Sequence, residues 1–462
     1  MTRQFHWFFV VMFQVLGVTG CGGTAMADST HARPGASDGR TPGWLTGETG
    51  KLRYLVDDDG NTYLGFWVET PLGVHRARPP LAISLVIDTS GSMSGDRIDN
   101  ARIAALGVLE RLKNGDIVSV IGFESRTTEY VEPTVVSPET RAVIASRIRE
   151  LQATNGTNMY AGLELGEARL RSAPDSHPLR RVVLISDGHA NEGPSDASSL
   201  GLLAARGTDH GVQVTAIGVG TGYNEEILNA LAVRSSGRLY HLEEPAQMAQ
   251  ILEDELGILG ETVAMDAWIE ITPEPGTVLL GVETLGGEMR GAKAYVKLGT
   301  LVGGQRRGVL VRAKVDTRGL GTKSAARAKL VYREANSKAS REERVAVTYE
   351  IVGDARRAKA SASSRVSALQ AVVEAARVRE AAVATLNEGD YEEASADLRR
   401  ASSQLSAVAA AAPKGSAERK KLERMRDDLD QAASRAASGG AGRARSEALK
   451  NNAASMDALM GN

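Results

Sequence analysis

Asp88, Ser90 and Ser92 stand at alternate positions in the turn Asp88-Thr89-Ser90-Gly91-Ser92. One carboxylate and two hydroxyls at this spacing are hard oxygen donors, the chemistry that holds a hard divalent cation. The seven residues before the turn, Leu81 to Ile87, are apolar except Ser84. Such a run has the length and character of a strand buried on both faces, as in a parallel sheet. After the turn, Ile98, Ala101, Ala105, Val108, Leu109 and Leu112 recur at steps of three and four, the stripe of an amphipathic helix. A buried strand, an oxygen-rich turn and a helix make the opening of a doubly wound α/β sheet, where ligands bind at the carboxyl ends of the strands.

Asp88-x-Ser90-x-Ser92 resembles the first motif of the von Willebrand factor A domain. Asn155-Gly156-Thr157-Asn158 resembles the loop that supplies that family's metal-site threonine, and Leu184-Ile185-Ser186-Asp187-Gly188 the strand end that supplies its last aspartate. The resemblance covers roughly residues 80 to 260. Asn155 departs from the glycine of many relatives, but Asn tolerates left-handed backbone well. Each fragment alone is equally a helix cap or a turn; it is the three in order that carry the assignment. The resemblance implies a metal-ion-dependent adhesion site built from Asp88, Ser90, Ser92, Thr157 and Asp187. That set has no His or Cys and suits Mg²⁺, with Mn²⁺ or Ca²⁺ as substitutes. Three of the five ligands are neutral hydroxyls, so the ion stays electrophilic. The resemblance further implies an open position for an acidic side chain of a protein partner.

An enzyme is the lesser alternative. No HExxH is present, and Ser90 stands where an aspartyl-nucleophile hydrolase would carry a second Asp. His189, the only histidine near Asp187, reads as a surface residue, and no nucleophile–base–orienter set can be assembled.

The 462 residues carry a formal net charge of −2 and one cysteine, Cys21. The length suggests about three domains, and the charge gives no reason to expect nucleic acid. Residues 1–21 read as a signal peptide: an apolar stretch from Trp7 to Leu16, interrupted only by Gln14, is too short to span a bilayer. Val18-Thr19-Gly20-Cys21 resembles the bacterial lipobox, which implies acylation at Cys21 and, with Gly22 following, an outer-membrane anchor. The alternative is a general secretory signal cut near Ala25-Met26-Ala27. Residues 22–43, rich in small and polar residues, read as a flexible tether.

Within 44–78, Leu52, Tyr54 and Val56 alternate, as do Leu64, Phe66 and Val68, with Asp57-Asp58-Asp59-Gly60-Asn61 between them as a hairpin turn. Residues 80–260 read as about six strands with helices on both faces. Period-two alternation returns over 262–353, around Ile269, Val311, Leu330 and Val347, and predicts an antiparallel sandwich with one wet face per sheet. The strands at 44–78 are expected to join it, which makes the α/β domain an insertion. Residues 355–462 are Ala-rich with three helical stripes, read either as a cap on the sandwich or as a coiled coil with a partner. An envelope scaffold that binds through this tail is therefore the second functional alternative.

Overall fold

The computed structural model describes residues 43–72, 78–187, 190–242, 244–335, 337 and 339–438, with isolated positions between 448 and 458. Cys21, the leader and the tether lie outside the described residues, as do Gly188 and His189.

The chain enters through β1 (Leu45–Thr49), β2 (Arg53–Leu55) and β3 (Asn61–Glu69). The α/β part then runs β4 (Leu81–Asp88), α1 (Asp96–Arg111), β5 (Ile117–Phe123), β6 (Thr127–Val135), α2 (Pro138–Arg149), α3 (Met159–Arg171), β7 (Leu179–Ser186), α4 (Ala197–Gly207), β8 (Val212–Val219), α5 (Glu225–Ser235), β9 (Arg238–Leu242) and α6 (Met248–Gly260). Its strands lie in the order β6-β5-β4-β7-β8-β9, all parallel except the edge strand β6. Leu81, Ile83, Leu85 and Ile87 of β4 pack with α1, α2 and α6, whereas Ala82 and Val86 pack with α3, α4 and α5. Apolar residues on both faces are why this run does not alternate. Helix starts are set locally. Ser137 and Thr140 form a capping box before Pro138, and Asn158, Asp196 and Asn224 each accept a backbone N–H of their own helix.

Strands β10 (Thr262–Pro273), β11 (Val278–Val282), β12 (Gly287–Arg290), β13 (Lys293–Val302), β14 (Arg306–Lys314), β15 (Gly321–Glu334) and β16 (Ser340–Val352) complete a sandwich. One sheet has the order β1-β3-β14-β11, the other β12-β13-β10-β15-β16-β2. The sequence therefore wraps: β3 pairs with β1 and β14, on either side of the α/β insertion. The doubly wound sheet, the antiparallel sandwich and the helical C-terminal region expected from the sequence are all present.

Two expectations need correction. The acidic turn at 57–61 does not close a hairpin. β2 pairs in parallel with β16 in one sheet and β3 pairs in the other, so the turn carries the chain between sheets. Asp57 takes a left-handed φ of 60° there, and the Gly60 carbonyl accepts Val315 N–H. The outer face of the four-stranded sheet is also only partly wet: Val278 and Leu280 of β11 and Arg312 and Lys314 of β14 are exposed, and the rest is covered. Helix α7 (Ala355–Lys359) leads into α8 (Ser364–Glu388), which lies on that sheet, with Val366 and Leu369 against Trp67 and Leu310. Glycines make room for it: a Cβ at Gly308 would lie 2.8 Å from Leu369. α9 (Tyr391–Ala411) and α10 (Ala417–Ser438) continue the same apolar cluster.

Candidate metal centre

Three loops at the carboxyl ends of β4 and β7 and at the start of α3 carry the five expected donors. Asp88 is the last residue of β4 and is fully buried. Its Oδ1 accepts the Ser90 backbone N–H at 2.9 Å, and its Oδ2 accepts the Ser186 hydroxyl at 2.6 Å. Ser90 Oγ and Ser92 Oγ lie 3.0 Å apart, and Ser92 Oγ donates to Asp187 Oδ1 at 2.7 Å. Asp88, Ser90 and Asp187 are buried, while Ser92 is exposed, so the crevice opens to solvent on the Ser92 side.

Thr157 is held in place by its backbone. Its N–H donates to Asn191 Oδ1 at 2.9 Å, and its carbonyl accepts the N–H groups of Asn191 and Glu192. These bonds stitch the Thr157 loop to the segment that follows Asp187. Thr154 N–H donates to the Thr89 carbonyl at 2.7 Å, which ties the same loop to the Asp88 turn. The Thr157 hydroxyl has no hydrogen-bond partner among the described residues. Helix α3 can bring this loop close because Gly162 and Gly166 face the sheet; a Cβ at Gly162 would stand 2.8 Å from Phe123, and one at Gly166 2.6 Å from Val86.

Burial pushes the Asp88 carboxyl above its ordinary value, and the nearby Asp187 charge adds to the rise; the Ser186 and Ser90 hydrogen bonds oppose it. Two acidic side chains thus share a small, largely dry space with hydroxyls around them. The crevice has the donors a divalent cation needs: two carboxylates that gain from a shared positive charge and three hydroxyls to fill its shell. Among the described residues no group of three or more His, Cys, Asp or Glu could hold a metal, so any such site relies on hydroxyl donors.

Three residues at this centre were not marked as site residues by the sequence reading. Ser186 was visible only as one polar position in an apolar strand. Asn191 anchors Thr157 from a loop with no periodic signal. Arg97, in the first turn of α1, pairs with Asp187 Oδ2 and donates to the Ser92 carbonyl at 3.0 Å. Its signal was electrostatic, because the first turn of a helix favours acidic side chains and disfavours a cation.

Fold and crevice together define a doubly wound α/β domain with an oxygen-donor site at its strand ends, set into a β-sandwich. Residues 82–254 match the family model of the von Willebrand factor type A domain. An uncharacterised protein of Synechocystis is 30% identical over 259 residues, 52% of this chain and 59% of its own length. Inter-alpha-trypsin inhibitor heavy chain H3 of Mesocricetus auratus is 26% identical over 164 residues, 34% of this chain and 18% of its own. The chain thus spans less than two thirds of these curated relatives. The solved von Willebrand factor type A structure from Catenulispora acidiphila is similar over 87% of this chain and 91% of that one, with TM-score 0.68 and 15% identity, a likeness of fold.

Proposed function

We propose that the protein is a divalent-metal-dependent protein-binding module of the cell envelope, and not an enzyme. The observation that carries this reading is the meeting of Ser90, Ser92 and Asp187, with Asp88 close to Asp187, at an opening on the strand ends to which the Thr157 loop is tied by its backbone. These five residues would hold Mg²⁺, or Mn²⁺ or Ca²⁺ in its place. The bound ion would supply a Lewis-acidic position for an acidic side chain of a protein partner. The chain's own residues do the rest. Ser186 and the Ser90 N–H fix the Asp88 oxygens, Asn191 fixes the Thr157 loop, and the buried strand ends keep bulk water from the inner face. The same reading places a lipid anchor at Cys21, so that the module is held at a membrane, with the outer membrane as the expected one.

Calorimetric titration of Mg²⁺ or Mn²⁺ tests the centre. Asp88→Ala and Asp187→Ala are expected to lose binding by at least tenfold while their circular dichroism stays unchanged, because the site lies outside the apolar cores. Unchanged affinity in both variants would remove the assignment. A pull-down from envelope extract should lose its captured partner with EDTA and regain it with Mg²⁺. A second reading, capture through the helical region, is favoured if binding persists in EDTA and in Thr157→Ala.

A further inference from the structure

We infer that Arg97 is a tethered cation that competes with the divalent ion for Asp187 and keeps the crevice neutralised when no ion is bound. The inference rests on the metal-site reading above and concerns its regulation. Asp187 has a fully buried side chain, whereas the Arg97 side chain is 39% exposed. The guanidinium therefore reaches in from the solvent edge, the side on which Ser92 opens. It takes Asp187 Oδ2, while Asp187 Oδ1 is held by Ser92 Oγ. Arg97 also grips the Ser92 carbonyl, so one side chain closes over two of the five assigned ligands. Its Nη2 lies against the turn after β8, where a Cβ on Gly220 would be 3.5 Å away, so it spans the mouth from one loop to another.

Among the described residues Arg97 makes no second ion pair. Among the described residues its ion pair is with Asp187, although Asp96 and Asp99 share its helical turn; Asp99 is taken by Arg102. A buried carboxylate without a counter-charge is strongly destabilising. Arg97 meets that need in the ion-free protein. In the loaded protein the same charge repels a dication and occupies one of its oxygens. The single residue thus stabilises one state and weakens affinity for the other, which sets the ion concentration at which the site fills.

The test is a crossing of two effects. Wild type, Arg97→Ala, Arg97→Gln and Asp88→Ala are titrated with Mn²⁺ calorimetrically, and their thermal unfolding is followed in EDTA and in saturating Mn²⁺. Removing Arg97 is expected to tighten Mn²⁺ binding about tenfold. It should lower the melting temperature in EDTA and recover it in Mn²⁺. An arginine serving only packing would lower both melting temperatures equally. Equal or weaker affinity in both Arg97 variants, with wild type binding and Asp88→Ala not, overturns the inference and leaves the metal site standing. Binding by the variants but not by wild type supports it. Failure of wild type and both variants to bind overturns the metal site and the inference together.

Discussion

Glu167 of α3 shows how one buried carboxylate can be read against the two at the crevice. It is fully buried, neither of its oxygens has a hydrogen-bond partner, and Arg171 stands 3.7 Å away. Gly207 of α4 leaves the space for it, since a Cβ there would meet its carboxyl at 2.9 Å. Burial raises its pKa from 4.5 to about 7, with Arg171 and Arg206 opposing the rise. The folded-state value lies above the unfolded one, so the stability of the neutral form is whole below about 4.5 and is lost as pH rises through about 7. Glu167→Gln should therefore stabilise the protein at pH 8 by up to about 3 kcal/mol, with the gain vanishing near pH 4. Denaturant unfolding at the two pH values measures it; a difference independent of pH would show that burial in the fold does not raise the Glu167 pKa. Asp88 differs because Ser186 and the Ser90 N–H satisfy its oxygens.

At the scale of elements, α8 decides how the sandwich and the C-terminal helices form one body. Trp67 of β3 is buried beneath it, and the Arg365 guanidinium lies 4.1 Å from the Trp67 ring centroid. Arg365 also pairs with Glu69 at 2.7 Å and Glu418 at 3.5 Å, and Arg306 pairs with Glu418 at 2.9 Å. The same acid and two arginines therefore tie α10, α8 and β14 over one aromatic ring. Trp67→Ala is expected to destabilise the protein by about 3–5 kcal/mol, as large-to-small changes in cores do. Hydrogen exchange should show lost protection in α8 to α10, with Mn²⁺ affinity unchanged. Protection that persists in α8 would mean that the helices do not depend on this sheet. The covered sheet also explains why β3 carries apolar residues on both faces: Gly65 and Trp67 face the helices, while Leu64, Phe66 and Val68 face the sandwich core.

For the whole molecule, the insertion places the crevice away from the sandwich. The carboxyl ends of β4 and β7 carry the site, while at the amino end of β8, on the opposite edge of the strands, Gln213 Oε1 accepts the Thr300 hydroxyl and Lys297 Nζ donates to the Thr208 hydroxyl, both from the sandwich strand β13. Cys21 acylation is testable with a clickable palmitate analogue: the wild type should be labelled and sediment with membranes, and Cys21→Ser should do neither, because stable anchoring needs two or more chains. Equal labelling of Cys21→Ser would end the proposal.

The sequence by itself determined the parts whose signal is local. An apolar run of seven residues made β4, three-four spacing made α1, and five oxygen-bearing residues in three separate fragments marked the candidate centre. It also located α8 to α10, because a helical stripe is readable wherever it packs. It did not mark α4, α5, β1 or β11 to β13, whose periodicity is broken by glycines, as at Gly299, or by burial on both sides. Tertiary structure alone decided that β2 and β3 part into different sheets, that α8 covers part of the outer face of one of them, and that Arg97 closes on Asp187. Each of these joins residues far apart in the chain or across a loop. Burial and charge pairing are set by what arrives from elsewhere in the fold, and a local pattern holds no record of that.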